Sequence, residues 1–148
     1  SFIAKYDEAG VCQWVTSLGS NGSILNGRGT SLVRDKNGNL YFAAICKGSS
    51  SISGTTETIE ADASKTDGAI IKFNSDGQYV WHRMFASVAD DGVTSLAVDE
   101  SNNVYAVGYY EAELPVYNVI GCVLKIGGKD GQLYECNFTE IAGKSAGA

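Results

Sequence analysis

The sequence predicts an all-β chain of short antiparallel strands, and three observations carry that prediction. A strand-turn-strand block, SFIAKYDEAGVCQW at 1–14, returns as GAIIKFNSDGQYVW at 68–81 and more loosely as GCVLKIGGKDGQLYE at 121–135. A second block, TSLVRDKNGNLYFAA at 30–44, returns as TSLAVDESNNVYAVG at 94–108. Eighteen glycines, one proline and repeated Asn-Gly and Asp-Gly pairs supply the positive φ that tight hairpin turns need. No stretch shows a convincing helical pattern.

Alternation of apolar and polar residues places the strands in order. Phe2–Tyr6 and Val11–Leu18 form one hairpin about DEAG, and Thr30–Arg34 and Leu40–Cys46 another about DKNG. Ala69–Phe73 and Gln78–Phe85 repeat the first hairpin, and Thr94–Val98 and Val104–Tyr110 repeat the second. Cys122–Ile126 and Leu133–Phe138 begin a third copy, for ten predicted strands in 148 residues. The repeat spacings are 67 residues from Trp14 to Trp81, 64 from Asp35 to Asp99 and 53 from Lys72 to Lys125. A four-stranded propeller blade of about 40–50 residues plus a variable loop fits them. The expected architecture is therefore β-propeller-like, with four-stranded antiparallel blades and about 2.5 blades present. Residues 1–18 are the outer hairpin of a first blade, 30–85 a second, 94–138 a third, and 139–148 the start of a further strand. A propeller closes with four to eight blades, so these residues are expected to belong to a larger propeller or an assembly.

The blocks (F/I)-(I/V)-(A/L)-K-(Y/F)-x-x-x-G-x-x-x-W and D-x-x-(G/N)-N-(L/V)-Y resemble the bacterial-type SBBP β-propeller repeat over nearly the entire chain. The resemblance rests on Lys5, Gly10 and Trp14, on Lys72, Gly77 and Trp81, and on Asp35–Tyr41 and Asp99–Tyr105. The third copy departs from it, with Glu135 at the tryptophan position and one extra residue in the GGKDG turn. The resemblance implies a fold and a secreted or surface location, and implies no catalytic residues.

Composition narrows the function further. The net charge of −6 opposes phosphate-backbone binding, which needs clustered Lys and Arg, so nucleic acid is excluded as a partner. No apolar run approaches the roughly 20 residues of a membrane-spanning helix. Four cysteines allow three pairings. A register that joins Ile126 to Gln132 puts Cys122 opposite Cys136, in the place of Phe2 opposite Val15 and Ala69 opposite His82, and predicts a cross-strand disulfide there. Cys12 and Cys46 are left as the second pair. Four buried thiols are the alternative, and no spacing suits zinc. Asn21-Gly22-Ser23 and Asn137-Phe138-Thr139 are glycosylation sequons. Residues 47–67 hold nine Ser or Thr and read as a flexible loop, or an O-glycosylated tether.

Catalytic chemistry is thin. His82 is the single histidine, sits on a strand with no paired nucleophile, and reads as structural. Asp7-Glu8, Asp90-Asp91 and Asp99-Glu100 sit at turns, where Asp caps backbone amides. Asp35-Lys36-Asn37-Gly38-Asn39 lacks the alternating ligands of a calcium loop and reads as a hairpin turn. Trp14 with Trp81, and Tyr41 with Tyr105, recur at equivalent places and are assigned to inter-blade packing. Tyr109 and Tyr110, beside the EAELPVYNV loop, form the candidate ligand surface. The sequence thus predicts no catalytic residue, cofactor or metal. It predicts a non-enzymatic extracellular structural or adhesive scaffold that self-associates or joins further blades of the same chain. The alternative is a module that binds glycan or protein through loops on one face.

Overall fold

In a computed structural model, the described residues are 1–19, 27–112 and 118–140, with the backbone alone at 111–112, 118–120 and 135–140. They contain no helix and twelve strands: β1 (Phe2–Tyr6), β2 (Cys12–Gly19), β3 (Arg28–Arg34), β4 (Leu40–Cys46), β5 (Ser49–Ile52), β6 (Thr58–Glu60), β7 (Asp67–Phe73), β8 (Tyr79–Phe85), β9 (Asp91–Val98), β10 (Val104–Ala112), β11 (Asn118–Ile126) and β12 (Leu133–Glu140). They build three four-stranded antiparallel sheets, ordered β1-β2-β5-β6, β3-β4-β7-β8 and β9-β10-β11-β12.

The sheets stack in chain order through two cores. Ile3, Leu18, Ile52 and Ile59 of the first sheet meet Phe42, Ala44, Ala69, Ile71 and Phe73 of the second. The other side of the second sheet, with Tyr41, Ala43 and Ile70, meets Val93, Leu96, Val104, Ala106, Leu124 and Ile126 of the third. Successive strand residues point to opposite faces, so β4 and β7 feed both cores. That is why β7 is buried at every position and β4 at all but its first.

One turn design recurs in the outer hairpins. Asp7 N donates to Val11 O and Gly10 N to Asp7 O, and Asn74 and Gly77 repeat the pair with Gln78. Gly10, Gly77 and Gly131 take φ of 78°, 77° and 70°, the left-handed geometry that costs glycine little. A bulge follows after Lys5, Lys72 and Lys125 in the three copies. Turn and bulge together lengthen the hairpin and shift the predicted register by two residues. Phe2 faces Ser17, Ala69 faces Met84, and His82 faces Ile71.

The cysteine prediction fails with that register. Cys122 lies opposite Phe138, and Cys136 opposite Leu124, so the two cysteines are diagonal positions. Diagonal neighbours stand about 7–8 Å apart, beyond the usual reach of a disulfide. Cys12 and Cys46 are free thiols, one exposed on β2 and the other buried in the first core.

Residues 47–67 are not a simple loop. β5 and β6 form a hairpin that joins the outer edge of the first sheet, with Leu18 opposite Ile52 and Gly19 opposite Ser51. Ser50, Ile52 and Ile59 turn inward between exposed neighbours, a period-2 burial that the Ser/Thr-rich composition obscures. Thr139 and Glu140 end β12 instead of opening a new strand, and 141–148 lie outside the described residues.

Candidate functional site

A largely apolar cavity of about 350 Å³ beside Tyr109 and Tyr110 is the candidate recess for a ligand. Met84 and Phe85 from the end of β8 line one side, Tyr109 and Tyr110 from β10 another, and Cys122 and Leu133 close it. Gly92 makes the tyrosine placement possible, because a Cβ there would lie 2.7 Å from the Tyr109 ring. Polarity comes from Ser87 and Asp91, where the Ser87 hydroxyl donates to Asp91 Oδ1 at 2.9 Å. Asp91 is buried at the start of β9. Apolar walls with a few polar atoms suit a planar or aliphatic ligand face better than a charged one. The two tyrosines predicted as a ligand surface thus share one recess. Cys122 and Leu133 come from β11 and β12 of the same sheet, while Met84 and Phe85 come from β8 of the second sheet and reach the recess through sheet stacking.

The remaining candidates resolve into structure. His82 Nδ1 shares a hydrogen bond of 2.9 Å with the Tyr79 hydroxyl. Burial holds its pKa below the ordinary value. Asp35 Oδ1 accepts from Asn37 N and Asn39 N at 2.9 Å, and its Oδ2 accepts from Asn39 Nδ2 at 2.8 Å and Tyr41 Oη at 3.1 Å. Asp99 repeats the set with Ser101, Asn103 and Tyr105. Burial opposes ionisation of Asp35, and the donors from Asn39, Tyr41 and Asn37 outweigh it, so the net shift is downward. The Asn103 side chain leads the corresponding lowering at Asp99. These carboxylates are occupied by their own turns, which accounts for the D-x-x-x-N-x-Y spacing. Among the described residues, no group of three or more His, Cys, Asp or Glu is placed to hold a metal ion.

Trp14 and Trp81 pack between sheets, as their recurrence predicts. A Cβ on Gly77 would lie 2.6 Å from the Trp14 ring, and one on Gly131 2.8 Å from that of Trp81. Each tryptophan therefore covers the outer-hairpin turn of the next sheet. Thr16 Oγ1 donates to Gly77 O at 2.8 Å, and Arg83 Nε, at the equivalent place, donates to Gly131 O. In the third copy Glu135 takes the tryptophan register opposite Lys125. Asn137 lies on β12 opposite Val123, and Asn21 lies outside the described residues.

No helix among the described residues is long and apolar enough to cross a membrane. The chain matches no protein-family model and no curated protein.

Proposed function

We propose that the chain is a non-enzymatic extracellular structural or adhesive scaffold built from SBBP-type β-propeller repeats. The observation that carries this reading is the recurrence of one inter-sheet contact set, with Trp14 over Gly77 and Trp81 over Gly131. A lattice of equivalent contacts between successive units is the logic of a repeat array, in which each unit buries its face against neighbours. The first sheet supports the assembling role, because its outward face exposes Phe2 at 69%, Tyr6 at 60% and Val15 at 54%. The equivalent face of the second sheet is covered, with Ala69 and Phe73 fully buried. Exposed apolar patches of this kind mark association surfaces. The extracellular location rests on the sequons at Asn21 and Asn137.

Sedimentation velocity over a wide concentration range tests the scaffold reading. Reversible association that weakens in a Phe2→Lys, Tyr6→Lys variant is the expected result. A single monomeric species at every concentration would overturn it.

The Tyr109–Tyr110 cavity favours a second reading, a glycan- or protein-binding module that uses one recess. Saturable binding to an arrayed glycan or to a surface protein, lost in Tyr109→Ala, Tyr110→Ala, supports it. Binding undiminished by both changes excludes this recess.

A further inference from the structure

The two junctions between sheets can be compared position by position. Where the second sheet meets the third, Tyr41 of β4 stands opposite Lys72 of β7. Its ring lies 6.0 Å from that of Trp81 and 5.4 Å from Lys72 Nζ. The Tyr41 hydroxyl and Lys72 Nζ both donate to Gly128 O, at 3.2 and 2.6 Å. Where the first sheet meets the second, Lys5, Trp14 and Ser75 hold the places of Lys72, Trp81 and Gly128. Among the described residues, no tyrosine from a strand beside β1 stands between them. A cavity of about 330 Å³ occupies the spot, lined by Lys5, Tyr6, Trp14, Leu32, Arg34 and Ser75 among others.

The edge beside this cavity is open as well. β7 pairs with both β4 and β8, and β11 with both β10 and β12. Their counterpart β1 pairs, among the described strands, with β2 alone. Leu32 is 50% exposed, while its counterpart Leu96 is 7% exposed. Ser31 Oγ of β3 accepts from Leu96 N, and Thr30 Oγ1 donates to Val93 O, so the hairpin of one sheet covers the inner strand of the next. A second cavity, of about 420 Å³, continues along β1 past Phe2 and Leu32 to Phe42.

We propose that the β1 edge and the Lys5–Trp14–Ser75 socket receive a β-hairpin bearing the Asp-x-x-x-Asn-(Leu/Val)-Tyr block, which pairs antiparallel with β1 and seats its tyrosine in the socket. The inference rests on the repeat-scaffold reading and names that scaffold's partner. The register follows from the filled copies, where Leu40, Tyr41 and Phe42 face Phe73, Lys72 and Ile71. The incoming tyrosine faces Lys5, the residue before it faces Tyr6, and the residue after it faces Ala4. Charge agrees with this occupant, since the Asp35 charge acts on Lys72 at the filled junction and Lys5 and Arg34 flank the empty socket. A second copy of the chain does not supply the hairpin, because both hairpins of this type are already paired within their own sheets. The partner is therefore a free segment of that chemistry, added as an edge strand.

The test is a titration of the full isotope-labelled chain with a synthetic peptide of residues 91–110, followed by amide and indole chemical shifts. Saturable shifts at β1, the Trp14 indole and Leu32 are expected, with affinity falling at least about tenfold for the Tyr105→Ala peptide. Lys5→Glu, a substitution at an exposed position, weakens binding without unfolding the chain. An absence of saturable shifts, or equal affinity for the Tyr105→Ala peptide, overturns the inference. Self-association of the chain that moves the same signals and blocks the peptide also overturns it, and leaves the scaffold reading intact. A chain that stays monomeric yet binds the peptide supports the inference and removes self-assembly from the scaffold reading.

Discussion

At the scale of single residues, Gly10 and Gly77 separate backbone strain from packing. Both have a positive φ, but a Cβ on Gly10 meets nothing within 4 Å, whereas one on Gly77 runs into Trp14. Gly10→Ala is expected to cost about 1–2 kcal/mol for the left-handed backbone. Gly77→Ala is expected to cost about 1–3 kcal/mol more for the crowded ring. Equal losses in denaturant unfolding would show that Trp14 does not press on that turn. His82 gives a pH prediction. Its folded pKa lies below 6.5, so both states are neutral above that pH, and on acidification the unfolded state takes the proton first. Stability therefore falls as the pH drops below about 6.5, and His82→Gln flattens that fall in melts compared across the range. Asp35 and Asp99 act in the same direction lower down, since their depressed pKa values forfeit stability only below about 3.8. Cys46 and Cys12 separate by labelling. Burial, with the nearby Asp67 charge, pushes the Cys46 thiol up to about 11, so an aromatic disulfide reagent reacts with exposed Cys12 quickly and with Cys46 only on unfolding. Comparable rates at both would place Cys46 outside the core.

At the scale of elements, legibility followed the strength of the local signal. The hairpins were readable because Asp35 and Asp99 caps, positive-φ glycines and period-2 alternation all act within a few residues. The register was not readable to the residue. The bulges after Lys5, Lys72 and Lys125 leave no mark in composition, and a slip of two keeps every side chain on the same face. The disulfide expected from Cys122 and Cys136 was lost for that reason alone. The β5–β6 hairpin was missed because Ile52 and Ile59 are its only large apolar residues, set among Ser and Thr. Both are fully buried in the first core. Ile52→Ala or Ile59→Ala is expected to cost about 2–5 kcal/mol in equilibrium unfolding. A loss below about 0.5 kcal/mol would mean that the hairpin contributes nothing to that core.

At the scale of the whole molecule, the central claim is that three sheets lie in sequence order, with the second buried on both faces and the first open on one. Repetition made the layering legible through Trp14 and Trp81, each of which meets the turn glycine of the next sheet. Tyr41, by contrast, is fully buried against Trp81, whereas its repeat partner Tyr105, in the third sheet, is only half-buried and stays outside both cores. The Tyr109–Tyr110 recess was legible only as two tyrosines beside a loop, because Met84 and Phe85 reach it from the second sheet through sheet stacking, and Leu133 from β12, two strands away in the same sheet. Residue-resolved amide hydrogen exchange tests the layering most directly. β4 and β7, flanked by strands and covered on both faces, are predicted to exchange slowest, at rates that approach global unfolding. β1, with an open edge and an exposed outer face, is predicted to exchange orders of magnitude faster on its unpaired amides. Exchange in β4 and β7 as fast as in β1 would contradict the stacked arrangement.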